Sequence, residues 1–181
     1  MIDVKGHVHL VSATKIEKSQ KLGLDGLTCV DVAATDDLVA VGRDDNTVAL
    51  LDGNLSAKHT LSLHKGALAA VGFSPDGTRL ASGCANKEVV VWDPRAGTPL
   101  VTGLQGFHTA RLSCLAWSPD SATLATGGVD ALVIVWDLEN KSAKKKVVNA
   151  HVAGGINALA FVNKETLASA GADGCVKTWA V

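Results

Sequence analysis

Three tryptophans set the frame of this chain. Trp92, Trp136 and Trp179 lie 44 and 43 residues apart, and each falls in an apolar, β-branched run: "EVVVWD", "LVIVWD" and "CVKTWAV". Stepping back 41 residues from Trp92 reaches Leu51 in "TVALLD", and another 40 reaches Val11 in "HVHLVS". A unit of 40–44 residues is too small to bury its own apolar faces. Copies of it must stack and share their cores, so the period alone restricts the fold to a repeat architecture.

A second set of positions keeps the same register. His64, His108 and His151 each stand 28 residues before a tryptophan. Offset 18 from each histidine holds Ser82, Thr126 and Ser169, and offset 22 holds Asn86, Asp130 and Asp173. The corresponding first-repeat positions are Gly23, Val41, Asp45 and Leu51, which depart almost wholly from this pattern. Each unit reads as four short strands divided by turn residues. In one repeat the strands are Leu68–Phe73, Arg79–Cys84, Glu88–Trp92 and Pro99–Leu104, separated by "SPDG", "ANK" and "DPRAG". Apolar residues on both faces suit sheets covered on both sides. No stretch carries a 3.6-residue period, so the chain is predicted to be all-β with almost no helix.

The histidine starts, the "SPDG" turn, the "SGxxD"-type turn and the terminal Trp-Asp together resemble WD-repeat β-propellers, and the resemblance covers essentially the whole chain. It implies one four-stranded blade per repeat and a partial ring of about four blades. Residues 1–22 would end a preceding blade. Full repeats would span 23–63, 64–107 and 108–150, and 151–181 would be a last repeat without its fourth strand. The stretch "CLAWSPDSATLATGGVDALVIVWDL", the "NAH" after it, the ending "LASAGADGCVKTWAV" and the earlier "VAVGRDDNTVALLD" resemble the C-terminal part of the actin-interacting protein 1 family. That family joins two propellers and works with cofilin to disassemble actin filaments. The resemblance implies a segment of a larger, non-enzymatic protein with actin and cofilin as partners, cytoplasmic and associated with the cytoskeleton. A generic WD-repeat scaffold of another complex is the alternative.

His108, Thr126 and Asp130 are also the parts of a hydrolytic triad. The family resemblance implies a structural use instead, a hydrogen-bonded chain of His, Ser or Thr, Asp and Trp. The full sets are His108, Thr126, Asp130, Trp136 and His151, Ser169, Asp173, Trp179, while His64, Ser82, Asn86, Trp92 carries Asn for Asp. Indole N–H donates, hydroxyl donates and accepts, imidazole relays and carboxylate accepts, so every buried member can be satisfied. Asn86 can accept without charge assistance, which predicts a less tightly tied blade. Val41 and Leu51 suggest an apolar substitute in the first. The same set recurs at matching offsets, where an enzyme needs one site. The hydroxyl lies in "TLATGG", with no nucleophile elbow.

The bulk properties narrow the partners. Net charge is −1 over 181 residues, so no general field attracts nucleic acid or an anionic membrane. Lys144, Lys145 and Lys146 form the single basic run and read as a solvated loop. No apolar run approaches the ~18–20 residues that span a bilayer. Cys29, Cys84, Cys114 and Cys175 are widely spaced, which fits small thiols in a reducing compartment and argues against zinc. His7 and His9 could share a strand face, but no further ligand stands at local spacing. No cofactor, metal or small-molecule substrate is expected. Arg43, Asp44, Lys65, Phe107 and Arg111, in or beside the loops bearing the His and Asp positions, are the partner-contact candidates, with Phe107 as the exposed aromatic. Trp117 aligns with Phe73 and reads as core.

Overall fold

The computed structural model describes residues 7–11, 16–21, 26–104, 107–139, 144–147, 150–151 and 154–181. The strands follow the chain in simple order. A hairpin pairs β1 (His7–Val11) with β2 (Ile16–Lys21). The first full sheet holds β3 (Leu27–Val32), β4 (Leu38–Arg43), β5 (Val48–Asp52) and β6 (Ala57–Leu61). The second holds β7 (Leu68–Phe73), β8 (Leu80–Cys84), β9 (Val89–Asp93) and β10 (Thr98–Leu104). The third holds β11 (Leu112–Trp117), β12 (Thr123–Gly128), β13 (Val133–Asp137) and β14 (Lys144–Val147). The last sheet has three strands: β15 (Ile156–Asn163), β16 (Thr166–Gly171) and β17 (Val176–Ala180). Every pairing is antiparallel between chain neighbours, and no helix occurs among the described residues.

The middle strands explain the apolar runs. The side chains of β8 are buried throughout, as are those of β4, β5, β9 and β13 up to their last residue. A sheet covered on both faces needs apolar residues at consecutive positions rather than alternate ones. The cores lie between sheets. Leu50 and Leu61 from the first sheet pack with Phe73, Leu80 and Trp92 from the second. Val89, Val91 and Leu104 pack with Leu112, Leu124, Ile134 and Trp136. Ala125, Val133 and Val135 meet Ile156, Leu167 and Trp179. The first strands of successive sheets pack on one another, β3 on β7, β7 on β11 and β11 on β15.

Polar ties join these first strands. The Phe73 N–H donates to Asp31 Oδ2 at 2.7 Å, and the buried Trp117 indole donates to the Gly72 carbonyl at 2.9 Å. The Ser113 hydroxyl donates to the Ile156 carbonyl. The sheets form an open row of blade-like units: among the described strands, β15 packs on β11 and β3 on β7, without a sheet joining the two ends.

One expectation is corrected. Lys144–Lys146 do not form a loop; they lie in β14 and pair with Trp136, Val135 and Ile134. Lysine on an edge strand discourages pairing with a further chain, which accounts for a charged run in extended backbone.

Candidate functional site

His64, His108 and His151 each lie in the loop before the first strand of their sheet. The acidic or amide partner lies in the turn between the second and third strands, at the same end of the sheet. A backbone bond joins the two loops in each sheet: Ala85 N–H to Ala67 C=O, Val129 to Arg111, and Ala172 to Gly155. The hydroxyl comes from the second strand and the indole from the third.

The third sheet brings its four residues together. The Trp136 indole donates to Thr126 Oγ1 at 3.0 Å, and His108 Nε2 stands 3.0 Å from that oxygen. His108 Nδ1 lies 3.1 Å from Asp130 Oδ2, which also accepts from the Thr109 N–H at 2.6 Å. Burial alone would raise the Asp130 carboxyl, but the Thr109 N–H and the His108 ring outweigh it and hold it below its ordinary value. In the last sheet, His151 Nδ1 is 2.7 Å from Asp173 and Nε2 is 2.8 Å from Ser169, whose oxygen accepts the Trp179 indole at 2.8 Å. Glycine makes room for both rings. A Cβ at Gly171 would lie 2.2 Å from His151 Nδ1, and one at Gly128 would lie 2.8 Å from His108 Nδ1.

The second sheet differs. Ser82 Oγ meets both His64 Nε2 and the Trp92 indole at 2.7 Å. Asn86 turns away, and its amide donates to the Lys65 carbonyl at 2.8 Å rather than serving His64. The expectation that Asn86 accepts from the imidazole is thereby corrected: a neutral amide is satisfied better by the nearby backbone acceptor. His64 Nδ1 is buried without a hydrogen-bond partner. Burial pushes the His64 pKa down to about 4, although Glu88 acts in the opposite direction. In the first sheet, Val41 and Leu51 lie in an apolar cluster with Val39, Ala49 and Leu55, while Asp45 caps its own turn through Thr47. Gly23 lies outside the described residues.

The contact candidates divide by exposure. Asp44, Lys65 and Arg111 are exposed in the loops at the histidine end. Arg43 is half-buried and 3.8 Å from Asp45. Phe107 is not an exposed aromatic; its ring stands edge-on to Trp136 with centroids 5.3 Å apart. From that half-buried position Phe107 covers part of the indole. A pocket of about 670 Å³ lies at the other end of the first two sheets, lined by Asp36, Asp37, Asp52, Lys58 and Arg95. Arg95 closes on Asp36 at 2.7 Å there. Cys84, read from the sequence as an isolated thiol, and Glu88, which the sequence did not single out, converge on His64. The available signal was positional: offset 20 holds glycine at Gly128 and Gly171 but cysteine at Cys84.

Residues 55–93, 98–137 and 142–180 match the family described as WD domain, G-beta repeat, and the chain belongs to this WD-repeat family. Each matched segment ends with the third strand of a sheet, so the first begins before β6 and ends with β9, straddling two sheets. The chain is 39% identical over 157 residues to the 66 kDa stress protein of Physarum polycephalum, covering 85% of this chain and 26% of that protein. It is 38% identical over 146 residues to WD repeat-containing protein 1 of Xenopus tropicalis, covering 79% and 24%. It is 31% identical over 142 residues to Actin-interacting protein 1-2 of Arabidopsis thaliana, covering 77% and 23%. The chain spans about a quarter of the length of these relatives.

Proposed function

We propose that this chain is part of a non-enzymatic interaction platform that binds actin and promotes cofilin-dependent disassembly of actin filaments. The observation that carries the reading is the likeness to Actin-interacting protein 1-2 over 77% of the chain. Stacked sheets with exposed loops at one end suit such work, because a rigid scaffold positions loop residues without having to order them on binding. Asp44, Lys65 and Arg111 are the contact residues proposed, and the His–Ser/Thr–Asp–Trp sets are proposed as ties that hold the loops in place. A catalytic use of Thr126 is disfavoured by its burial, at 1% exposed, among His108, Trp136 and β13.

The test is pelleting of actin filaments with cofilin, with and without the protein. The expected result is more actin in the supernatant only when both proteins are present. No enhancement over cofilin alone removes the actin reading. The second reading, a scaffold of another complex, is supported by family membership alone.

A further inference from the structure

We propose that His64, Cys84 and Glu88 form a binding site for a zinc-class divalent cation. Their three ligand atoms lie within 4.8 Å of one another. Glu88 Oε2 is 3.9 Å from His64 Nδ1 and 3.8 Å from Cys84 Sγ. The first spacing is too long for a hydrogen bond, while Glu88 Oε2 accepts from the Cys84 thiol across the second and from the Lys65 N–H at 3.2 Å. The edge of a tetrahedron of zinc ligands is about 3.3–3.4 Å between nitrogen and oxygen and about 3.6 Å between sulfur and oxygen, so the Cys84–Glu88 spacing is close to it and Glu88 would move about 0.5 Å towards His64 on binding.

The independent observation is the imidazole. The His64 side chain is fully buried, and Nδ1, the atom facing Cys84 and Glu88, has no hydrogen-bond partner. In the two sheets with Asp130 and Asp173, that nitrogen is satisfied by the carboxylate. With Asn86 turned to the backbone, Nε2–H can donate to Ser82, whose hydroxyl faces the Val90 carbonyl at 3.5 Å. This tautomer leaves the Nδ1 lone pair directed at the cluster, as a metal requires.

Two departures from the other repeats fall together at the cluster. Where the other two sheets carry Gly128 with Asp130, and Gly171 with Asp173, this one carries Cys84 with Asn86. The glycine positions directly abut the imidazole, so a side chain placed there projects onto it. Cys84 thus brings a thiol to the edge of the ring from which the acid has been lost. Cysteine spacing along the chain does not register ligands that a sheet gathers from separate strands and loops.

The charges close as well. A thiolate, a carboxylate and a neutral imidazole balance a divalent cation, and the soft donor favours zinc over magnesium or calcium. Binding releases the thiol proton to solvent. A pocket of about 320 Å³, lined by Leu63, Lys65, Glu88 and Thr102, brings solvent to Glu88, the partly exposed member of the cluster.

The test titrates the reduced, chelator-stripped chain with Co²⁺. One equivalent is expected to give a thiolate-to-cobalt charge-transfer band and the strong visible bands of tetrahedral Co²⁺, both lost on adding Zn²⁺. Cys84→Ser should abolish the charge-transfer band, whereas Cys175→Ser, at an exposed thiol, should retain it. Glu88→Gln should weaken Co²⁺ affinity by at least roughly tenfold. Should Cys84→Ser fail to fold, Glu88→Gln at its partly exposed position decides the matter. Absence of a saturable one-equivalent signal, a band that survives Cys84→Ser, or unchanged affinity in Glu88→Gln overturns the proposal.

Discussion

Thr126 shows how much one hydroxyl can hold. It meets a buried imidazole and a buried indole at once. Thr126→Val keeps the shape and removes the oxygen, taking a hydrogen bond from both the His108 imidazole and the Trp136 indole. Each such loss costs about 1–3 kcal/mol, so urea denaturation should show a loss of at least about 2 kcal/mol. Asp130 makes the same tie sensitive to acid. Its carboxyl sits below the ordinary 3.8 in the folded chain. Its contribution is therefore present above that ordinary value and fades as pH falls through the lower folded value. Asp130→Asn should lower stability at neutral pH and flatten the acid limb of urea midpoint against pH. In the second sheet the converse substitution applies. Asn86→Asp can offer His64 a charged acceptor, and urea denaturation of the metal-free chain should show a gain of about 1 kcal/mol in unfolding free energy.

At the level of elements, the sequence unit and the sheet are different objects. A matched repeat begins at or just before the outer strand of one sheet and ends with the third strand of the next, so each repeat clasps two sheets. The four strands of the second sheet were legible from turn residues and β-branched runs to within a residue or so at each end. The basic run in β14 was not legible. Three consecutive lysines carry neither the alternation nor the β-branching that marks a strand, and pairing with β13 decides it. Ties between sheets escaped notice for a similar reason. Asp31 and Trp117 look like an isolated acid and an aromatic in sequence, yet each reaches the backbone of β7. Trp117→Phe keeps most of the packing but strands the Gly72 carbonyl. Thermal melts should register a loss of about 1 kcal/mol.

For the whole molecule, the open row of sheets has a consequence. The sheet of β15–β17 leaves Val162 63% and Val176 74% exposed, and β17 has no further strand beside it among the described residues. An apolar face next to an unpaired edge invites association. Expressed as these 181 residues, the chain should elute from size exclusion as self-associated species. A monodisperse monomer with one cooperative melt would refute this.

The sequence by itself determined the period, the all-β class and the positions in each repeat where His, hydroxyl, acid and Trp recur, because stacked units must repeat whatever joins them. It also marked the first repeat as exceptional through Val41 and Leu51. Only the tertiary structure decided which of those residues meet. It turned Asn86 from His64 to the backbone, laid Phe107 against Trp136, and drew Cys84 and Glu88 towards a vacant imidazole nitrogen. The physical reason is range. A repeat is written in spacings along the chain, whereas a side chain's partner is set by hydrogen-bond geometry across strands, where atoms must come within about 3 Å.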